Sequence, residues 1–269
     1  MRKRYQLVLA IAAVSLALAG CGDKDSAAKN GAGSVDVGKK ADTALISDNF
    51  IKEVTEAQRK ARTSHVDMKI DAAGQQLGAV GDVEVGTAAA DTKAALKMNM
   101  GSGAEGFEMR LIGQAFYINL GPVTDNKFAK VDLTDKSNPA SAQFGEIIDG
   151  LDPAKQIDLF KDAMKSVKAE GKAIELDGVK TQPYVITLDT SKIPSIAKLG
   201  SEASTPKEIV YTMFVGPDSL PRRISTDIAG SSVTVDYSKW GEPVDIKEPP
   251  KAEISDKNLL DQMGQTPAA

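Results

Sequence analysis

The sequence predicts an α+β fold, a large curved antiparallel sheet of about ten strands with its helices gathered on one face. Three observations predict it. Short segments alternate apolar and polar residues over most of the chain, the period-two pattern of strands with one buried and one wet face. A helical repeat precedes them, and a second interrupts them midway.

The first helix falls over 45–62, where Ile46, Phe50, Ile51, Val54, Ala57 and Ala61 recur at helical spacing. Ser47 or Asp48 supplies the N-cap. The strands then come in series. Val66, Met68 and Ile70 alternate with Asp67 and Lys69, and Val83 and Val85 flank Glu84. Leu96, Met98 and Met100 flank Lys97 and Asn99, and Phe107, Met109 and Leu111 flank Glu108 and Arg110. Phe116, Ile118 and Leu120 flank Tyr117 and Asn119. From Pro139 to about Val167 the pattern is helical, with Phe144, Ile147, Ile148, Leu151, Ile157, Phe160 and Met164 on one side and a break near Asp152-Pro153. Strands resume at 172–176 and 179–188, joined by Asp177-Gly178, a strong hairpin signal. A short helix or turn covers Ser191–Leu199, and strands at 209–215, 222–228 and 232–237 complete the set.

The ends of the chain point to a compartment. Met1-Arg2-Lys3-Arg4 is a basic start, and the apolar run from Leu7 to Ala19 has signal-peptide length. It is too short to span a bilayer, which takes roughly 20 apolar residues. The run ends Leu18-Ala19-Gly20-Cys21, a bacterial lipobox whose thiol accepts a diacylglyceryl group. Residues 1–20 are therefore expected to be a signal peptide, with Cys21 the lipidated first residue. Residues 21–42, rich in Gly, Ala, Ser, Lys and Asp, read as a flexible tether reaching about 25 Å. Residues 43–256 form one domain, and 257–269 a loose tail. The expected location is the extracytoplasmic face of the cell membrane, anchored by lipid rather than spanning it.

Composition excludes much. The net charge is −4, with 33 basic against 37 acidic residues, and a nucleic-acid binder needs a basic excess or stripe. One Cys and one His permit neither an internal disulfide nor a Cys/His zinc site. A triad could use only His65, and no nucleophile elbow accompanies it. The chain reads as a non-enzyme with no cofactor beyond the acyl lipid on Cys21.

Local motifs have plain readings. Gly101-Ser102-Gly103-Ala104-Glu105-Gly106 matches G-x-G-x-x-G as a string, but the nucleotide motif needs a helix after it. Alternating segments flank it on both sides, so it reads as a hairpin loop. His65 reads as a polar-face residue. Asp132–Asp135 and Asp149–Asp152 lack the pattern of a calcium loop and read as turn or cap residues. Arg222 and Arg223 would point to opposite faces; one pairs with an acidic neighbour and the other meets solvent or an anionic headgroup. Methionines at 68, 98, 100, 109, 164 and 213 fit either a dense core or an adaptable greasy pocket.

Several stretches taken together resemble the LppX/LprG (LppX_LprAFG) family of actinobacterial lipoproteins, which share a LolA-like fold. They are the lipobox at Leu18–Cys21 with its tether and helix, Gly81-Asp82-Val83-Glu84-Val85, and Leu111-Ile112-Gly113-Gln114-Ala115-Phe116-Tyr117-Ile118. Gly216-Pro217-Asp218-Ser219-Leu220-Pro221-Arg222-Arg223 and Tyr237–Ile246 with Pro249-Pro250 complete them. The resemblance implies a half-open antiparallel β-barrel whose concave face is closed by α-helices. It also implies a hydrophobic cavity for acyl chains of envelope lipids or glycolipids, carried across the envelope, in some members alongside a membrane transporter. It transfers no catalytic residue.

The candidate pocket residues facing the helices from the strands are Met98, Met100, Phe107, Met109, Leu111 and Ile118. From the helices they are Ile148, Phe160 and Met164. The alternative reading, by likeness to RseB-type regulators, is an envelope sensor or interaction lipoprotein that uses the half-barrel to bind protein.

Overall fold

A computed structural model describes residues 47–72, 74–101, 106–135, 162–193, 206–228 and 230–255. The signal peptide, Cys21, the tether, Ile148, Phe160 and the tail from 257 lie outside the described residues.

The described chain opens with helix α1 (Ser47–Ala61). Phe50, Ile51 and Val54 are buried on one side, while Lys52, Glu53, Glu56 and Lys60 face water. Arg62 ends the helix in the left-handed region (φ 65°), its N–H donating to the Gln58 carbonyl at 2.8 Å. This reversal feeds β1 (Thr63–Ala72), followed by β2 (Gln75–Glu84), β3 (Lys93–Asn99), β4 (Phe107–Ile112), β5 (Ala115–Asn119) and β6 (Ala129–Asp132). The second half holds β7 (Met164–Ala169), β8 (Ile174–Leu176), β9 (Val179–Asp189), β10 (Glu208–Val215), β11 (Pro221–Ile228) and β12 (Ser231–Ser238).

All twelve strands belong to one sheet, ordered β6-β5-β4-β3-β2-β1-β12-β11-β10-β9-β7, with β8 also on β9. Every pairing within it is antiparallel. Two meanders thus join through β1 and β12, which brings the two ends of the domain side by side.

Two strands exceed the expected ten. β6 has only four residues, too few to show an alternation. β7 occupies residues expected to be helical. Met164 therefore begins a strand opposite Leu188 instead of lying on a helix, because a bulge between Met164 and Ser166 disguises its period of two. The Asp177-Gly178 turn forms as expected. Both residues have positive φ (49° and 70°), the geometry whose twist matches the flanking strands.

The outer face carries cross-strand ion pairs. Lys93 donates to Glu84 at 3.0 Å, and Arg223 grips Asp236 through two nitrogens. His65 Nδ1 lies 2.7 Å from Asp82 Oδ1, so His65 sits on the polar face as expected. Arg222, at a bulge, is buried and donates to Asp218 at 2.7 Å. Both arginines are thus held by aspartates. Trp240 stacks on Tyr237 with ring centres 5.6 Å apart and donates through Nε1 to the Pro221 carbonyl at 2.8 Å.

One stretch of the outer face is not wet. Tyr117, fully buried, lies under the chain that follows β12. Ile246 and Pro249 are buried there, Arg110 donates to the Lys247 carbonyl, and Phe128 and Ser255 close a parallel bridge at 253–255. The polar, Pro-rich stretch after Gly241 is therefore a clasp across β4–β6. Burial raises the Tyr117 phenol pKa, against the pull of the nearby Lys130 ammonium.

Gly81 lets β2 and β3 approach closely. A Cβ there would overlap the Ala95 carbonyl oxygen on β3, so only glycine lets the two backbones approach. Gly81→Ala is expected to cost about 1–3 kcal/mol, lowering the melting temperature by roughly 2–4 °C per kcal/mol. Thermal unfolding followed by circular dichroism checks this; an unchanged midpoint would mean the strands part freely.

Candidate functional site

The register sorts the side chains. Reading across the sheet, Tyr184, Met213, Ile224, Val235, Met68, Ala79, Met98 and Phe107 occupy one row. The next row runs through Val66, Gly81, Leu96, Met109, Ile118 and Ala129. Directly opposed residues share a face, so both rows belong to the face that meets α1, through Phe50 against Tyr184 at 5.0 Å. No charged side chain falls in this register along β1–β6, β10 or β12 among the described residues. Burial also holds the phenols of Tyr211 and Tyr237 far above their ordinary range, so they stay neutral.

This apolar face has two parts. One main core joins α1 to β1, β2, β7 and β9–β12. Strands β4–β6 contribute nothing to that core. Their inward residues Leu111, Phe116, Ala129 and Val131 are buried elsewhere, and Phe107, Met109 and Ile118 are only half-buried. Met98 bridges the two parts, packing on the edge of the main core.

An open cavity of about 420 Å³ lies at this boundary, within the range of small-molecule sites. Met98 and Phe107 supply its apolar wall, and Gly106, Gly121, Asn119 and Asn126 line its mouth with Lys97 and Glu108. Since Lys97 and Glu108 pair on the outer register, the cavity wraps the strand ends rather than lying deep in the face. A Cβ on Gly106 would overlap the Met98 carbonyl, so glycine sets the shape of the mouth.

The candidate residues are placed as follows. Met98, Phe107, Met109, Leu111 and Ile118 share the apolar face, and two of them line the cavity. Met100 lies past the end of β3, 41% exposed, beside Gly101 with φ 69°. Met164 is at the opposite edge of the sheet, against the main core. Sequence reading missed Asn119, which it took for the wet face of a strand, and Asn126, whose signal was only a loop of turn-forming residues. In that loop the fully buried Thr124 accepts from the Leu120 N–H at 3.0 Å and donates to Asn119 Oδ1 at 3.2 Å or the Gly121 carbonyl at 3.2 Å. The Gly101–Gly106 loop joins two strands, without the helix a nucleotide motif requires. Among the described residues no three His, Cys, Asp or Glu gather at metal-binding range.

The class is thus a half-open antiparallel β-barrel whose inner register is uncharged along β1–β6. LprF from Mycobacterium bovis has this fold: its crystal structure aligns over 77% of this chain and 99% of LprF, with a TM-score of 0.50 at 16% identity. Lipoprotein LppX from Mycobacterium tuberculosis aligns over 74% of this chain and 96% of its own, with a TM-score of 0.48 at 15% identity. An uncharacterized conserved protein from Thermus thermophilus aligns over 78% of this chain and 98% of its own, at a TM-score of 0.39 and 8% identity. No protein-family model matches the chain, and no curated protein matches it in sequence. The fold is the LolA-like one expected from the sequence.

Thr124→Ala is expected to strip the loop of its hub and leave the Leu120 N–H without its acceptor, at about 1 kcal/mol. Hydrogen exchange should accelerate over 119–127 and stay unchanged in β12; uniform exchange would show the loop needs no such hub.

Proposed function

We propose that this protein is a membrane-anchored lipoprotein that binds acyl chains of envelope lipids or glycolipids on its concave face and helps carry them across the cell envelope. The observation that supports this best is the uncharged inner register, half-buried at Phe107, Met109 and Ile118 and opening into the cavity beside Met98. Each methylene moved from water contributes roughly 0.8 kcal/mol, so a carrier must offer apolar contact along most of a chain's length. Unbranched methionine side chains at 98 and 109 adapt to chains of different shape. The likeness in fold to LprF adds to the reading. Attachment would come from the diacylglyceryl group on Cys21, on the extracytoplasmic side. The tether would let the sheet approach the bilayer, and a membrane transporter would be a natural partner in delivery. No reaction is assigned to the protein.

Native mass spectrometry with organic extraction of the purified full chain tests this. The expected result is stoichiometric lipid with two or three acyl chains beyond the covalent anchor. Met109→Asp should lower the load roughly tenfold, since a charge in an apolar site costs well over 1.4 kcal/mol. Met98→Trp, which keeps the wall apolar but fills the cavity, should also lower it without disturbing the circular dichroism spectrum. A lipid-free protein would overturn the carrier reading and favour the sensor or protein-binding one.

A further inference from the structure

We infer that the cavity mouth is a membrane-docking lip, and that the partner it fits is the surface of a lipid bilayer containing anionic lipid. The inference deepens the carrier reading above and rests on it.

Strands β3 and β5 run toward the mouth and β4 and β6 run away from it, so the end of β3, the start of β4 and the β5–β6 loop meet at one end of the sheet. Gly106, Gly121 and Asn126 on the cavity wall agree with that placement. Two of the large apolar side chains left exposed among the described residues sit there: Val123 at 65% and Met100 at 41%. Pro122 beside Val123 is exposed too.

The loop is built to hold Val123 outward. Besides the Leu120 bond to Thr124, the Gly121 N–H donates to Asn119 Oδ1 and the Asp125 N–H to the Pro122 carbonyl. The Asn126 and Lys127 N–H groups donate to the Gly121 and Thr124 carbonyls. Five backbone donors thus bond within the loop, so it enters an apolar medium without stranding them. A fixed apolar tip with satisfied backbone suits the headgroup–acyl boundary, where monotopic proteins bury apolar side chains.

The charges around the tip complete the fit. Lys97 and Lys127 have no ion-pair partner among the described residues, and both are exposed. Glu108 is taken by Arg110 at 2.7 Å, and Asp125 is the remaining acidic group of the loop. Two free ammonium groups flanking an apolar tip match a surface of phosphate over hydrocarbon.

The test uses the purified full chain in vesicles of phosphatidylcholine and phosphatidylglycerol with deuterated acyl chains. Benzoylphenylalanine is placed at position 123, at 100, or at 210, where Val210 is 48% exposed on the outer register of β10. Irradiation should give deuterated-lipid adducts at 123 and 100 at roughly ten times the yield at 210. Val123→Asp should cut the adduct at 100 several-fold with the melting temperature unchanged. Equal yields at all three positions, or adducts at 123 only with protein, would overturn the docking lip. Lipid extracted before irradiation is measured separately: a full load without adducts at 123 overturns only the docking, and adducts without any load overturn only the carrier reading.

Discussion

Strands β1–β6 keep one uncharged face only while every pair of neighbours holds its register. A slip of one residue in β2 would carry Asp82 and Glu84 inward, and a slip in β4 would carry Glu108 and Arg110 inward. The ion pairs on the outer face contribute little as exposed contacts, typically about 0–1 kcal/mol each. Their larger effect lies in the alternative register, where each would become a charge buried in an apolar layer at a cost of several kcal/mol. Charge on one face therefore protects the other from misalignment. Tight turns assist: Asp177-Gly178 fixes β8 against β9, and Gly113, at φ 60°, fixes β4 against β5.

The two halves of the sheet are stiffened differently. Strands β1, β2, β7 and β9–β12 share a packed core with α1. Strands β4–β6 take no part in it and are braced from outside by the clasp over Tyr117 and Phe128. The guanidinium of Arg110 lies 5.0 Å from the centre of the Phe128 ring while also holding the clasp through Lys247. Bracing from the convex side leaves the inner residues Phe107, Met109 and Ile118 free of that duty. An apolar face that is both ordered and incompletely covered is what an acyl-chain site requires, and the outer clasp separates these two demands.

Much of this was legible in the sequence because alternation is a strong signal wherever one face is charged. Met98, Phe107, Met109, Leu111 and Ile118 fall on a common face by alternation with charged or polar neighbours, and the register agrees. Where the signal was short or broken, reading failed. β6 offered four residues, and the bulge at Met164–Ser166 gave β7 a helical look. The clasp was hidden for another reason. Its backbone pairs only at Phe128 and Ser255 among the described residues, and its buried residues Ile246 and Pro249 stand apart among polar ones, so no period marks it. Burial of Tyr117 followed from that distant segment, which local pattern cannot reveal. Of the mouth residues, Asn119 looked like a wet-face strand residue and ends β5, while Asn126 looked like a turn residue and is one; the strand ends bring both to the cavity.

The fold is shared with LprF at only 16% identity over three quarters of the chain, a divergence that an apolar face tolerates. An apolar lining is specified by the absence of charge and by approximate volume, which many residue sets satisfy. Backbone approach and the contacts that hold the sheet's shape admit fewer residues. Gly81 admits no side chain, and Trp240 must reach the Pro221 carbonyl to lock the end of β12 to the start of β11. Both lie within the stretches that carried the resemblance to the LppX/LprG family, and neither lines the cavity. The half-buried side chains Met98, Phe107 and Met109 are held less strictly, since volume-conserving apolar swaps there cost little and leave the sheet intact.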